Sequence, residues 1–412
     1  MAGLGSSPDR RPLRAWERGL SVERRFGSAL AARLQRFQGR ARRPAGVGEP
    51  ITGGVVLLGR VWAGGGSEPF DGAVIVDSAG RLSYLGPVGS QVLDSDLPVL
   101  GGGSSWIGPA VSDVHVHLPD DPALLPALSR GGVLGLRDLG ASAARAASLR
   151  TGRRGPGRSL PFVSASGPML TALDGFPGDC RGSHLAVQHV HSAGHAQQLV
   201  RRCAAEGADV IKVLLDRGDD ASGFAVLSPT ILEAIVQAAH SAGLAVVAHA
   251  LHADMVARAV DAGVDEFAHT PTERLTEQLV DRIAAAGISV VSTLQSFFSA
   301  GRGREAAANA AALHRAGVRL RYGTDFGLRA TGPVGVDPRE LDRLADAGLG
   351  RLGALRSATE FAAQAPGMRA GSGLLRVGEP AALVVLGADP IVEPGVWRAP
   401  LAVLAGACLI EN

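Results

Sequence analysis

The chain has 412 residues, of which 46% are hydrophobic and 19% are charged, so it can bury a large core. Its formal net charge of +2 is nearly neutral and excludes nucleic acid as the expected partner. Three cysteines without metal-ligand spacing, Cys180, Cys203 and Cys408, are typical of a cytoplasmic protein with reduced thiols. No stretch approaches the roughly 18 consecutive apolar residues that a transmembrane helix needs.

Residues 1–48 form an Arg-rich N-terminal extension. Five apolar residues recur there at helical spacing: Val22, Phe26, Leu30, Leu34 and Phe37. The extension is therefore predicted to be either an amphipathic helix or a disordered leader. Arg33 and Arg36 interrupt the apolar run, which argues against a twin-arginine export signal.

Residues 49–108 predict a small β unit, because short strand-like runs at residues 53–62 and 72–84 are joined by turns. Strand character returns near the C-terminus, at residues 382–386 and 401–409. A C-terminal β segment must bury its apolar face against something. We therefore expect residues 49–108 and 366–412 to form one composite β-sandwich domain.

Between these β segments, eight strand-like runs alternate with Ala- and Leu-rich helical runs. The strands are predicted at residues 110–116, 133–137, 162–166, 210–215, 245–248, 265–268, 289–293 and 320–324. Several helices end in an Ala-Gly pair, such as Ala242-Gly243, which is a stop signal before a parallel strand. This alternation predicts an α/β fold in which residues 109–365 form a catalytic (β/α)8 TIM barrel.

Lys212 is the single lysine among the 41 Lys and Arg residues, and it lies in the apolar run 210–215. A charged amine is costly to bury, and Lys can lose its proton there whereas Arg stays protonated. This position allows three roles: a Schiff base, a general base, or a carbamate formed with CO2 that ligates a metal. If Lys212 has no chemical role, its side chain is expected to extend so that the amine reaches the protein surface.

Polar residues lie at the C-terminal ends of five predicted strands, where barrel enzymes place their active sites. These residues are His115 and His117 on strand 1, Lys212 on strand 4, His249 on strand 5, His269 on strand 6 and Asp325 on strand 8. Four imidazoles, one carboxylate and one modifiable lysine are a ligand set for two divalent ions, with Zn2+ as the leading candidate. A carbamate on Lys212 would bridge the two ions.

Several segments resemble the amidohydrolase superfamily, in particular its imidazolonepropionase-like and prolidase-like branch. The matching segments are residues 108–117, 133–140, 207–213, 239–250, 262–269, 323–325 and 378–390. They include the motifs His115-Val116-His117, Arg137-Asp138-Leu139-Gly140 and Gly323-Thr324-Asp325. The resemblance runs in order from about Gly53 to the end of the chain.

This resemblance implies a role for each matched residue. His115 and His117 would ligate the more buried ion, and His249 and His269 would ligate the other. Lys212 would be the carbamylated bridge, while Asp325 would bind a metal and accept a proton from the attacking water. The implied reaction is hydrolysis of a C–N bond in a small molecule, either an amide, a dipeptide, an N-acyl amino acid or a cyclic amide, through a metal-bridging hydroxide.

Two other functions remain as alternatives. A mononuclear deaminase or imide hydrolase of the same superfamily is disfavoured, because such members commonly lack the strand-4 lysine. A non-catalytic amidohydrolase-like binding protein is disfavoured, because no ligand is missing. For substrate contacts the sequence offers His184, in the connection after strand 3, and Arg137, which has Asp138 as its alternative partner. The sequence is compatible with a homo-oligomer.

Overall fold

The computed structural model describes residues 49–93, 95–151, 160–176, 185–218, 223–328, 332–368 and 371–411. The predicted N-terminal extension and His184 lie outside these ranges. The strands are β1 Glu49–Pro50, β2 Gly54–Val61, β3 Phe70–Asp77, β4 Leu82–Gly86, β5 Val99–Pro109, β6 Val111–Val116, β7 Val133–Asp138, β8 Phe162–Ala165, β9 Met169–Ala172, β10 Val187–Val190, β11 Val210–Leu215, β12 Ala245–Ala250, β13 Glu266–Phe267, β14 Ser289–Val291, β15 Leu320–Arg321, β16 Ala382–Leu386, β17 Ala402–Ala405 and β18 Cys408–Glu411.

The α-helices are α1 Ser90–Leu93, α2 Leu124–Arg130, α3 Ala143–Thr151, α4 Ala193–Ala205, α5 Pro229–Ser241, α6 Ala253–Ala262, α7 Glu277–Ala285, α8 Leu294–Ser299, α9 Gly303–Arg315, α10 Pro338–Leu344, α11 Gly350–Ala358 and α12 Glu360–Ala363. A π-helical segment, Ala345–Leu349, and a 3-10 helix, Pro394–Arg398, complete the helical elements that are described. Ser192, Ser228 and Thr276 cap α4, α5 and α7, because each side chain accepts a backbone N–H from the first turn.

The N-terminal and C-terminal strands share one sheet, with the order β1-β18-β17-β16-β5-β2-β3-β4. β5 joins the two parts, because it pairs antiparallel with β16 and parallel with β2. Apolar residues alternate along β2, so that Leu57 lies in one buried cluster and Leu58 in another. The expected pairing of the two terminal β segments is thus present, whereas the domain limits and the sandwich remain predictions.

Parallel strands form two further sheets, with the orders β6-β7-β8 and β10-β9-β11-β12-β13-β14-β15. Each of the eight strands predicted for the central region is found, as β6, β7, β8, β11, β12, β13, β14 and β15. β9 and β10 were not predicted, and they lie in the connection that follows β8, the third predicted strand. The central region is therefore a mixed α/β fold built on parallel strands that alternate with helices.

Backbone hydrogen bonds also link the edges of the two parallel sheets. Asp209 N–H donates to the Ala165 carbonyl at 2.9 Å, which joins the start of β11 to β8. At the other edge, Asp325 N–H donates to the His115 carbonyl at 2.9 Å and His117 N–H donates to the Phe326 carbonyl at 2.7 Å. The segment after β15 is thereby held alongside β6.

The largest apolar cluster lies between the parallel strands and their helices. Helix α5 contributes Leu232, Ile235 and Ala239, which follow the spacing of one helical face. All six residues of β11 are buried, as expected for a strand that is covered on both faces. Among the described helices, none combines the length and the apolar character that crossing a membrane requires.

Candidate metal centre

Five of the six predicted ligands lie near or just after the C-terminal ends of parallel strands, and Lys212 lies in the middle of its strand. His115 is on β6 and His117 follows it, Lys212 is on β11, His249 is on β12, His269 follows β13 and Asp325 follows β15. Each is buried, with at most 9% of its surface exposed. Parallel strands end at the same edge of a sheet, and this shared edge brings residues from distant parts of the sequence together.

His115, His117 and Asp325 form the tightest group of metal-binding atoms. His115 Nε2 lies 3.2 Å from His117 Nε2, and Asp325 Oδ1 lies 3.4 Å from both nitrogens. One potential ligand atom from each residue lies within 4.8 Å of the others. Asp325 Oδ1 has no hydrogen-bond partner among the described residues. Two imidazoles and a carboxylate converging in this way suit a divalent cation such as Zn2+.

The backbone fixes which nitrogen of His115 faces this group. His115 Nδ1 lies 2.7 Å from the Ala268 carbonyl, an acceptor only, so Nδ1 carries the proton and Nε2 keeps its lone pair. Burial, reinforced by nearby cationic groups, lowers the pKa of His115 well below its ordinary value. The ring is therefore neutral near pH 7, which is the form that ligates a metal.

His269 and His249 extend the cluster beyond the first three residues. The His269 ring lies 4.4 Å from the His115 ring and 4.8 Å from the His249 ring, centroid to centroid. His269 Nδ1 is hydrogen-bonded to the Thr293 hydroxyl at 2.9 Å. Burial lowers the pKa values of His249 and His269, so both rings are also neutral near pH 7.

Asp216 orients His249. His249 Nε2 donates to Asp216 Oδ2 at 3.0 Å, which leaves the Nδ1 lone pair free for another partner. Burial would raise the pKa of Asp216, but the hydrogen bonds from His249 and from Gly218 N–H outweigh it and lower that pKa to about 2. His252 Nδ1 lies 3.6 Å from the other Asp216 oxygen, so His252 belongs to the surroundings of this carboxylate.

Lys212 lies within the same cluster, with 1% of its surface exposed. Its Nζ has no hydrogen-bond partner among the described residues. Burial, reinforced by the Arg137 guanidinium, lowers the pKa of Lys212 to about 7, which makes a large share of the amine neutral at physiological pH. A buried amine without a partner is costly, and this residue therefore fits a modified or metal-ligating lysine better than a structural one.

Asp113 is a positioning residue outside the set of ligands predicted from the sequence. Its Oδ1 accepts the His115 N–H at 3.2 Å and the Thr324 N–H at 3.1 Å, and its Oδ2 accepts the Thr324 hydroxyl. Asp325, which follows Thr324 in the sequence, has a φ of 60°, which is uncommon for a residue other than glycine. Asp113 thus connects β6 to the turn that presents Asp325. Its signal in the sequence was its place two residues before His115.

Arg137 has a different position from the one expected. Its guanidinium is fully buried, donates to the Val114 carbonyl at 2.9 Å and forms an ion pair with Glu266. Arg321 Nε lies 2.8 Å from the other Glu266 oxygen, so two guanidinium groups share one carboxylate. The ion pair that the structure gives Arg137 is with Glu266, and the burial of Arg137 gives no support to a substrate contact.

A cavity of about 170 Å³ opens beside the cluster. Five of the six predicted ligands line it, all except His115. Most of the remaining wall is apolar, with side chains that include Met169, Phe176, Leu214 and Phe297. The arrangement can therefore hold a small molecule with apolar groups directly against the candidate metal ligands.

The chain is similar to known proteins in its sequence profile and in its fold. The sequence profile of the amidohydrolase family matches residues 160–408. No curated protein matches the chain at a significant level.

Solved structures show the same fold at low sequence identity. A Xaa-Pro dipeptidase with methionine bound in its active site aligns with a TM-score of 0.74 and 19% identity, covering 87% of this chain and 100% of that one. A prolidase in complex with N-methylphosphonate-L-proline aligns with a TM-score of 0.70 and 23% identity, at the same coverage. The A. niger ochratoxinase aligns with a TM-score of 0.71 and 20% identity, covering 87% and 96% of the two chains.

Proposed function

The chain belongs to the amidohydrolase family, and from this premise we propose that it is a binuclear metal-dependent hydrolase of a C–N bond in a small amide. The observation that carries the proposal is the convergence of six buried potential ligands beside one cavity. Family membership supports a hydrolase that acts on amide bonds. The two ions, their identity as Zn2+ and the carbamate on Lys212 are the more specific parts of the proposal.

The proposal includes a closed (β/α)8 barrel as the scaffold. Backbone hydrogen bonds at both edges of the two parallel sheets, through Asp209 and through Asp325, support this closure. The terminal sheet would form the companion domain, with limits at residues 49–108 and 366–412. A cytoplasmic location also belongs to the proposal, and the buried free thiol of Cys203 is compatible with it.

The donor set suits two positions for divalent ions. His115 and His117 would hold one ion, and His249 and His269 would hold the other. A carbamate on Lys212 would bridge them, and Asp325 would complete the set. Such ions would make a water molecule more acidic and polarise the amide carbonyl.

The side chains of this protein would then carry the proton transfers. In the reaction a C–O bond forms between the amide carbon and the oxygen of water, and the C–N bond breaks. Asp325 would accept the proton from water and return it to the leaving nitrogen, so that a carboxylic acid and an amine are released. Asp113 would keep Asp325 in place through Thr324.

A mononuclear deaminase or imide hydrolase is the second candidate. The buried Lys212 amine has no hydrogen-bond partner among the residues that the structure describes, and this favours the binuclear enzyme, because the second candidate has no use for such an amine. A non-catalytic binding protein is also less favoured, since such a protein needs neither the neutral imidazoles nor Asp325 to converge.

Metal analysis combined with amide hydrolysis tests the proposal. Protein produced in zinc-replete medium should contain close to two divalent ions per chain and should hydrolyse members of a panel of dipeptides, N-acyl amino acids and cyclic amides. Mass spectrometry under native conditions should detect the added mass of CO2, which Lys212→Arg should remove. Asp325→Asn should lower kcat by roughly 100-fold or more. Asp281→Asn, at an exposed position on α7, serves as the control.

Two results would contradict the proposal. A metal-loaded protein that hydrolyses no member of the panel would argue for the binding protein. A single ion per chain with full activity in Lys212→Arg would favour the mononuclear alternative.

A further inference from the structure

Three polar residues line the cavity without being predicted metal ligands: Asp216, Ser296 and Arg302. Asp216 is already hydrogen-bonded to His249, and Ser296 Oγ lies 3.5 Å from Asp325 Oδ2. The Arg302 guanidinium makes no hydrogen bond or ion pair within the part of the chain that the structure describes. The Arg302 side chain is exposed, so water can solvate its charge. Among the described residues that line the cavity, Arg302 is thus the cationic group, besides the predicted ligand Lys212, that can bind a substrate.

The turn that carries Arg302 has a defined shape. Arg302 N–H donates to the Phe297 carbonyl at 2.9 Å, and Gly301 N–H donates to the Phe298 carbonyl at 3.1 Å. Gly301 has a φ of 75°, a backbone conformation that glycine adopts more readily than other residues. A Cβ on Gly303 would lie 2.3 Å from the Phe298 ring, so this position also requires glycine. These constraints place Arg302 directly after the segment whose Ser296, Phe297 and Ala300 line the cavity.

The N-terminus of α8, the helix before this turn, is held in place by the side chain of Glu340. Glu340 Oε1 accepts the Leu294 N–H at 3.0 Å and Glu340 Oε2 accepts the Gln295 N–H at 2.6 Å, at the first residues of α8. Glu340 is fully buried, so the anchor is shielded from water. The wall from Ser296 to Arg302 is therefore a fixed part of the cavity with apolar side chains at its centre and one guanidinium at its exposed end.

We infer that Arg302 is a specificity-determining residue that binds a free carboxylate on the substrate. The inference rests on the proposed hydrolase function and narrows its substrates to N-acyl amino acids and dipeptides that have an apolar side chain beside a free carboxylate. A guanidinium binds a carboxylate through two parallel hydrogen bonds, which gives both affinity and orientation. The apolar side chain would lie against Phe297 and the facing apolar wall, while the amide carbonyl would lie at the metal ligands.

Matched substrate pairs test the inference. N-acetyl-L-leucine and N-acetyl-L-methionine are compared with their C-terminal carboxamides, and release of acetate is measured with metal-loaded protein. Wild-type protein should prefer each acid over its carboxamide by about 10- to 100-fold in kcat/KM, which is the scale of a charge-assisted hydrogen bond. Arg302→Met should remove most of this preference by raising KM for the acids, with little change for the carboxamides. Arg302→Lys should retain part of it.

Arg304→Met is the matched control, because Arg304 is exposed two residues further along, in the first turn of α9, and does not line the cavity. Metal content should be equal in the wild-type protein and in the Arg302→Met, Arg302→Lys and Arg304→Met variants. This equality would distinguish the loss of a substrate contact from damage to the metal centre. Equal rates for acids and carboxamides in wild-type protein would overturn the inference and leave the proposed hydrolase intact. Equal losses for both members of each pair in Arg302→Met would also overturn it. Wild-type protein that hydrolyses neither member, nor any other amide, would contradict the proposed function itself.

Discussion

At the scale of single residues, one hydrogen bond per imidazole decides which nitrogen faces the candidate centre. The Ala268 carbonyl takes the proton of His115 Nδ1, and the Asp216 carboxylate takes that of His249 Nε2. The two rings therefore offer different nitrogens, Nε2 in His115 and Nδ1 in His249. A backbone carbonyl cannot be altered by a side-chain substitution, whereas Asp216 can.

Asp216→Asn is predicted to weaken metal binding at His249. The neutral amide accepts a weaker hydrogen bond than the carboxylate, so the ring is held less firmly and its free nitrogen becomes a poorer ligand. Affinity for the more weakly bound ion should fall by about 10- to 100-fold, as measured by competition with a chromogenic chelator. Asp254→Asn is the control, since Asp254 is exposed and pairs with Arg217 outside the cluster. Unchanged affinity in Asp216→Asn would show that His249 needs no such partner.

At the scale of secondary-structure elements, residues 294–302 depend on a buried carboxyl group for their position. Both Glu340 oxygens accept backbone N–H groups at the start of α8. Burial nevertheless dominates and raises the pKa of Glu340 from 4.5 to about 7, although these hydrogen bonds oppose the increase. The folded protein therefore binds a proton at Glu340 that the unfolded chain releases at lower pH.

This shift predicts a pH-dependent stability. Because the folded pKa lies above the unfolded value, the stabilising contribution is complete below about pH 4.5 and is lost as the pH rises to about 7. The free energy of unfolding should decrease over this range by roughly 3 kcal/mol at most from this group. Glu340→Gln should remove that part of the pH dependence in urea unfolding experiments. Glu233→Gln, exposed on α5, should leave it unchanged; a wild-type slope retained in Glu340→Gln would assign the effect to other groups.

The strands that carry the candidate ligands show why only part of the site could be predicted from the sequence. His115 and His117 were recognised because a strand places residues two apart on the same side. The contact between Asp216 and His249 could not be predicted, because it depends on the register in which Leu214 of β11 lies opposite His249 of β12. Pairing register is not visible in a single strand.

Two further elements had too little periodicity to be recognised. β9 and β10 have four residues each and pair in parallel, with Val187 opposite Met169. Such short runs do not separate strand from loop, so β10, which contains His189, was not distinguished from the rest of its connection. α8 has six residues and begins after Thr293, whose φ is 44°. Its cavity-lining role follows from tertiary contacts with Glu340, which lies far along the chain.

At the scale of the whole molecule, the candidate centre lies where the two parallel sheets approach each other. His115 is on a strand of the three-stranded sheet, whereas His249 is on a strand of the seven-stranded sheet. Ions held by this set would connect the two sheets in addition to the backbone hydrogen bonds at their edges. Metal binding is therefore expected to stabilise the entire central region, and its effect should not be limited to the cavity.

Removal of metal is predicted to lower the melting temperature of the whole protein in one cooperative transition. A ligand at 100 times its dissociation constant stabilises the folded state by about 2.7 kcal/mol, which corresponds to a decrease of several degrees on removal. Dialysis against a chelator followed by differential scanning calorimetry measures this decrease, and added Zn2+ should reverse it. In the double variant His115→Ala and His249→Ala, neither the chelator nor Zn2+ should change the melting temperature. A transition that splits into two in metal-free protein would instead mean that the two sheets unfold independently, because ions and not backbone contacts hold them together.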